Sequence, residues 1–139
     1  MTDLGHWKTD IEIPEDPFGF IYIITNTKLG KHYVGKKQMK SVKKMPPLKG
    51  KKNKRHKDVQ TDWKTYTGSS NDLNADIEKY GKDNFTFTIL RFCENKWSMA
   101  YHETKLQFQY DVLVSENFYN GIINCRIGKA PKGSILDHG

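Results

Sequence analysis

The sequence predicts a small α/β domain, a mainly antiparallel three-stranded sheet flanked by helices. Three stretches carry that prediction. Phe20-Ile21-Tyr22-Ile23-Ile24 is almost wholly apolar and β-branched or aromatic, and His32-Tyr33-Val34 follows it across the polar run Thr25 to Gly30. Together they read as a β-hairpin whose first strand is buried on both faces. Leu73, Ile77 and Tyr80 fall at i, i+4 and i+7, one apolar stripe of a helix. Phe85 to Leu90 alternates and then turns apolar, which predicts the third strand.

The remaining elements follow in chain order. Residues 1–17 are polar with Pro14 and Pro17, and read as an arm loosely packed on the domain, with Trp7 as an anchor. The loop between the hairpin strands is longer than two residues, so turn type does not set the register. Residues 38–58 contain Pro46-Pro47, Gly50 and a lysine run, and neither helical nor strand periodicity survives there. The expectation is a basic insertion loop that orders against its ligand. Ser69 or Ser70 is the N-cap of the first helix, Asp72 sits in its first turn, and Gly81 ends it. A second helix is expected over about 98–112. Met99, Leu106 and Tyr110 form one stripe and Trp97, Tyr101, Phe108 and Val112 another, so most of this helix is expected to be covered. The Asn120-Gly121 step suggests a turn or short strand packing back. The domain proper spans 18–128, and 129–139 read as a tail.

Composition narrows the function. A chain of 139 residues holds one domain with a modest core. No apolar run approaches the roughly 20 residues that span a bilayer, and the acidic N-terminus lacks the apolar segment of a signal peptide. Cys93 and Cys125 give neither a disulfide framework nor metal-ligand spacing, so free thiols in a reducing cytoplasm are expected. The net charge of +7 is unevenly placed: residues 36–57 hold eleven Lys or Arg and no acid. The remaining twelve basic and sixteen acidic residues sum to −4. A concentrated basic segment on an acidic body points to a polyanion, and the absence of amphipathic periodicity argues against a membrane surface.

Two residues stand out chemically. Glu103 lies on an apolar helical stripe, four residues after Met99 and seven before Tyr110. A carboxylate there costs free energy unless it reaches solvent, is paired, or holds a cation. A single hard divalent ion, Mg²⁺ or Mn²⁺, takes few carboxylates and keeps waters for a phosphate substrate. Asn120 is either a turn residue before Gly121 or a site residue.

Order and motif settle on a family. Phe20-Ile21-Tyr22 followed by Tyr33-Val34-Gly35 resembles the paired tripeptides of the GIY-YIG nucleases, with Phe20 where glycine is usual. Lys79-Tyr80-Gly81-Lys82-Asp83-Asn84-Phe85 resembles the family's helix-to-third-strand segment. A glutamate on the next helix and a later asparagine are also family features, here Glu103 and Asn120, seventeen residues apart. Trp63 to Ser70, with its Trp-x-x-Tyr-x-Gly-Ser-Ser pattern, is similar to the small phage-borne, Seg-type relatives of homing endonucleases. The resemblance covers about 19–125.

The resemblance implies a DNA endonuclease using one Mg²⁺ or Mn²⁺ ion. Glu103 would be the metal ligand, and a hairpin tyrosine, its pKa lowered by nearby cations, the general base, Tyr33 before Tyr22. Lys36 would contact a phosphate or the transition state, with Lys37 as its neighbouring alternative, and Asn120 completes the catalytic set. The usual arginine after the second tripeptide is missing. Arg55 or Lys64 would replace it, or neither. Expected DNA contacts are Gly35, Lys37, Lys51, Lys52, Lys54, His56, Trp63 and Tyr66. For each of these residues a plain structural role remains open at this point: a core tyrosine, a solvated lysine, a strand-end glycine. A non-catalytic nucleic-acid-binding module on the same scaffold is the contrasting expectation. Specificity would come from the basic loop or from a partner, a homodimer on DNA or another protein, or be low, and the expected location is the cytoplasm, that of the host cell if the chain is phage-encoded.

Overall fold

A computed structural model describes residues 3–50, 52, 55–124 and 126–132. Strand β1 (Gly19–Asn26) is the centre of a three-stranded sheet, paired antiparallel to β2 (Lys31–Gln38) on one side and to β5 (Phe85–Cys93) on the other. A central strand has both faces covered, which is why β1 is an unbroken apolar run. Phe20, Tyr22 and Ile24 point into one cluster with Trp7, Trp63, Leu73, Phe85, Phe87 and Ile89. Ile21 points into the other with Val34, Cys93, Met99 and Val112. The register slips between Ile21, opposite Arg91, and Tyr22, opposite Ile89. This bulge at Leu90 sits beside Tyr22, and such bulges re-aim side chains.

The hairpin turn is built by Asn26. Its buried side-chain oxygen accepts from the N–H groups of Lys28 (3.0 Å) and Leu29 (3.2 Å). Gly30 supplies the positive φ of 64° that closes the turn.

Helix α1 (Asn71–Tyr80) starts where the sequence places it. The Ser70 hydroxyl caps Leu73 N–H, and Gly81, at φ 90°, follows the last turn. Its Leu73, Ile77 and Tyr80 cover the first face of the sheet. Helix α2 (Lys96–Gln109) covers the second, capped by Asn95, which accepts from Ser98 N–H at 2.7 Å. It ends three residues earlier than expected. Asp111 turns left-handed at φ 54°, Val112 N–H reaches back to Gln107 C=O, and Asp111 N–H to Phe108 C=O. That is a Schellman stop with aspartate where glycine is usual. The expected stripes are met in part: Met99, Leu106 and Val112 pack in the second cluster, whereas Tyr110 of the first stripe and Tyr101 and Phe108 of the second are exposed.

Residues 38–58 differ from the expected loop. Strand β3 (Lys40–Met45) pairs antiparallel with β4 (Arg55–Gln60) as a separate two-stranded ribbon. Its strands, Lys-Ser-Val-Lys-Lys-Met and Arg-His-Lys-Asp-Val-Gln, are mostly charged or polar, so pattern reading had no hydrophobic alternation to detect. Met39, buried between β2 and β3, and Thr61 N–H, bonded to Met39 C=O at 3.0 Å, fix its root.

Both edges of the main sheet are covered. Lys8 bridges β5 through Lys8 N–H to Phe87 C=O and Ile89 N–H to Lys8 C=O, both 2.8 Å. His32 and Asn117–Tyr119 form the matching bridge on β2. Trp7 is 3% exposed and donates its indole N–H to Trp63 C=O, so the arm is locked into the core at this point. Among the described residues no helix is long and apolar enough to cross a membrane.

His6, stacked on Phe87 at 3.9 Å, makes the arm pH-sensitive. Burial, then the Lys82 charge, lowers its pKa from 6.5 to about 4. The folded protein then binds fewer protons here than the unfolded chain, so stability rises with pH across that interval. The thermal midpoint is expected to fall as pH drops from about 6.5 toward 4, and His6→Phe should flatten that part of the curve. A wild-type midpoint independent of pH in this window would contradict the assignment.

Candidate active site

A cleft of about 380 Å³ opens at the β2 edge. Its walls are Tyr33 and Lys36 from β2, Ser69 and Ser70 from the cap of α1, Glu103 and Gln107 from α2, and Tyr119 to Ile122 from the returning segment. The elements explain the convergence. Glu103 and Gln107 are one helical turn apart on the α2 face that meets β2. Tyr33 and Gly35 are two residues apart, so they share a side of β2, while Val34 between them faces α2 and the second core cluster.

Glu103 is the single Asp or Glu in the lining. Its side chain is 17% exposed, and Lys36 Nζ stands 3.7 Å from Oε1, an ion pair rather than a hydrogen bond. Burial raises the Glu103 pKa above the usual 4.5, and the Lys36 charge partly offsets this. Among the described residues no group of three or more His, Cys, Asp or Glu comes together. A closed protein cage for zinc is therefore not formed by these residues. One half-buried carboxylate in an open polar cleft does fit one hard divalent cation that keeps its waters and takes phosphate oxygens.

Tyr33 lines the cleft, and Tyr22 lies behind it, outside the lining. Tyr22 is 1% exposed, and Tyr33 lies against it with ring centroids 6.2 Å apart. The Tyr33 hydroxyl is 3.2 Å from Ser69 Oγ. Burial raises both phenol pKa values, Tyr22 well above 10, and the Ser69 hydrogen bond partly offsets the shift at Tyr33. The lowered tyrosine pKa expected from the nearby lysines is absent: desolvation dominates, and Lys36 is spent on Glu103. Gly35 lies under the pair. A Cβ there would stand 2.5 Å from the Tyr22 hydroxyl and 2.7 Å from its Cζ. Gly68, at φ 84°, approaches the same two rings from above, with 3.3 Å to the Tyr22 hydroxyl for an added Cβ.

Asn120 is 8% exposed and acts on the β2 backbone. Val34 N–H donates to its Oδ1 at 3.0 Å, and its Nδ2 donates to Val34 C=O at 2.8 Å. β2 is an edge strand, and its outward Val34 groups need partners. Backbone of the 117–119 segment satisfies the edge at His32, and the Asn120 amide continues two residues on. Gln107 Nε2 adds a second donor to Val34 C=O at 3.1 Å. With both amide atoms engaged, Asn120 holds the Tyr33-Val34-Gly35 backbone.

The other expected residues lie elsewhere. Lys37 pairs with Asp62 at 2.8 Å and sits over the Tyr66 ring at 4.2 Å. Its ion pair holds the Asp62 carboxyl below 3.8. Lys64 pairs with Asp3 at 3.2 Å and is outside the cleft lining. Trp63 is 3% exposed, a core side chain with no surface to offer DNA. Arg55 and His56 are placed on β4 as backbone, with side chains outside the described part, and Lys52 is exposed in the ribbon's connecting segment. Lys51 and Lys54 lie outside the described residues. The sequence reading missed Gln107, Gly68, Ser69, Ser70 and Tyr119. Gln107 carried a signal, its position one turn after Glu103; the rest depend on contacts between distant segments.

No curated protein and no solved structure matches the chain. The family profile described as "Putative endonuclease segE, GIY-YIG domain" matches residues 6–123. That match spans most of the 139 residues, from the Trp7 anchor to beyond Asn120, and takes in every element that walls the cleft. The chain therefore belongs to the GIY-YIG nucleases, in their Seg-type branch.

Proposed function

We propose that this chain is a DNA endonuclease that hydrolyses phosphodiester bonds with one Mg²⁺ or Mn²⁺ ion, and that the chemistry occurs in the cleft between β2 and α2. The observation that carries this reading is the meeting of Glu103, Lys36 and Tyr33 on one polar cleft. Bound to Glu103, the ion would act as a Lewis acid at the scissile phosphate. Lys36, 44% exposed at its side chain, can leave Glu103 and meet a phosphate oxygen. Gly35, having no side chain, lets the Tyr22 and Tyr33 rings pack against the β2 backbone, which sets where the Tyr33 hydroxyl stands.

Tyr33 is the general base in this reading, with Tyr22 behind it as support. Since burial keeps the Tyr33 phenol protonated at neutral pH, the base form is scarce there and the rate should climb with pH through 9. Tyr33→Phe is expected to lower the single-turnover rate about 10²–10⁴-fold while leaving DNA affinity near wild type. A Phe variant with the wild-type rate would remove Tyr33 from the chemistry. No described arginine side chain lies in the cleft lining, so Lys36 is the cation that faces the reaction.

Supercoiled-plasmid nicking tests the reading. Wild type should nick with Mg²⁺ or Mn²⁺ and stop with chelator, and Glu103→Ala should not nick. A mobility shift of DNA with no cutting under any metal condition would instead support a binding module on this scaffold.

A further inference from the structure

Among the described residues, the ribbon β3–β4 contributes none to the cleft lining. A two-stranded antiparallel ribbon alone is marginally stable in water. This one also sets Lys43 opposite Lys57. Like charges directly opposite one another weaken a strand pair. Asp58, opposite Val42, is the single acid on the two paired strands, while Asp16 holds Lys40 at 2.5 Å and Asp62 holds Lys37, both at the root. From residue 43 to 57 there are eight Lys or Arg and no acid. Lys49, Lys52 and Lys57 are exposed. From β3 through β4, residues 40–60, nine Lys or Arg stand against the one acid Asp58, so the ribbon is a strongly basic prong.

We propose that this ribbon seats in the major groove of duplex DNA beside the cleft and supplies most of the salt-dependent grip. For its substrate class the inference rests on the nuclease reading. Six paired residues span about 20 Å. The B-form major groove, about 12 Å wide, admits a two-stranded ribbon, whereas the deep, narrow major groove of A-form RNA does not. The ribbon also continues β2 with only Met39 between them. Nine residues separate Lys36 from Met45, at most about 32 Å extended. A duplex held by a phosphate at Lys36 therefore has the ribbon within one helical turn. Met39 and Thr61, whose hydroxyl also donates to Gln38 C=O at 2.6 Å, fix that relation.

Fluorescence anisotropy tests this without cleavage, in a Glu103→Gln background without divalent ions, on a 20-base-pair DNA duplex and the matching RNA duplex. The triple variant Lys49→Gln/Lys52→Gln/Lys57→Gln should bind DNA at least tenfold more weakly at low salt. Its log–log salt slope should shrink by about 2–3, since each lost phosphate contact removes about 0.9. Circular dichroism and the unfolding midpoint should stay as in the parent. A charge-matched control, Lys28→Gln/Lys79→Gln/Lys129→Gln, should keep the parent slope. DNA should be preferred over RNA at least tenfold, and the triple variant should lose that preference. An unchanged slope in the triple variant, or equal binding of RNA and DNA by the parent, would overturn the proposal. A protein that grips DNA through the ribbon yet never cuts would overturn the nuclease reading alone.

Discussion

Gly35→Ala is expected to lower stability and abolish cleavage together. The added methyl would stand 2.5 Å from the Tyr22 hydroxyl and 2.7 Å from Cζ, closer than any real side-chain contact. Tyr22 is 1% exposed, packed against Trp7 at 5.0 Å and Tyr66 at 6.3 Å between ring centroids, so its ring cannot step aside. Gly35 is itself paired opposite Tyr22, which fixes the backbone as well. Overpacking of this kind costs about 1–3 kcal/mol, which in a domain of this size lowers the thermal midpoint by several degrees. Tyr33 Cε2, 3.0 Å from the new methyl, is displaced as well, and with it the Tyr33 wall of the cleft. The double variant Tyr22→Phe/Gly35→Ala should recover part of the stability, because the nearest clashing atom is gone. Thermal melts and nicking rates of the three variants check this. A Gly35→Ala protein with wild-type melting and activity would show that the rings are not packed as described.

Asn120→Leu is expected to be nearly as damaging, through a different cause. The side chain is close in volume but supplies neither the acceptor for Val34 N–H nor the donor to Val34 C=O. Gln107 still serves the carbonyl, so the N–H is the group left orphaned. Stranding one buried polar group costs about 1–3 kcal/mol. Asn120→Asp keeps the acceptor but turns a carboxylate oxygen toward Val34 C=O, so isosterism should not rescue it. Activity should fall with each, since Val34 lies between Tyr33 and Gly35. Hydrogen exchange at the Val34 amide is the direct readout: slow in wild type, fast in Asn120→Leu. Slow exchange in that variant would sever Asn120 from the β2 edge.

Much of the fold was legible because local chemistry and tertiary packing agree. The Phe20–Ile24 run is apolar because β1 is central, and Ser70 and Gly81 bound α1 as their residue types demand. The β3–β4 ribbon was not legible, since its strands are mostly charged or polar and are defined by pairing to each other across distant positions. The stop of α2 was hidden for a narrower reason: an aspartate, not a glycine, adopts the left-handed turn at 111. Of the site, Tyr33, Lys36, Glu103 and Asn120 come together in one cleft. What single positions could not reveal was role. Asn120 acts on a backbone 86 residues away, and Trp63, aromatic beside a lysine, is claimed by the core.

The central claim is that Glu103 holds the one divalent ion that the cleft uses. Single-turnover cleavage at saturating DNA, measured against Mn²⁺ concentration, tests it most directly. Wild type should rise hyperbolically with a Hill coefficient near one. Glu103→Gln should be at least about 10²–10³-fold slower at every concentration, the loss of several kcal/mol of transition-state stabilisation. It should still bind the duplex. A Glu103→Gln protein with the wild-type rate and metal dependence would contradict the account.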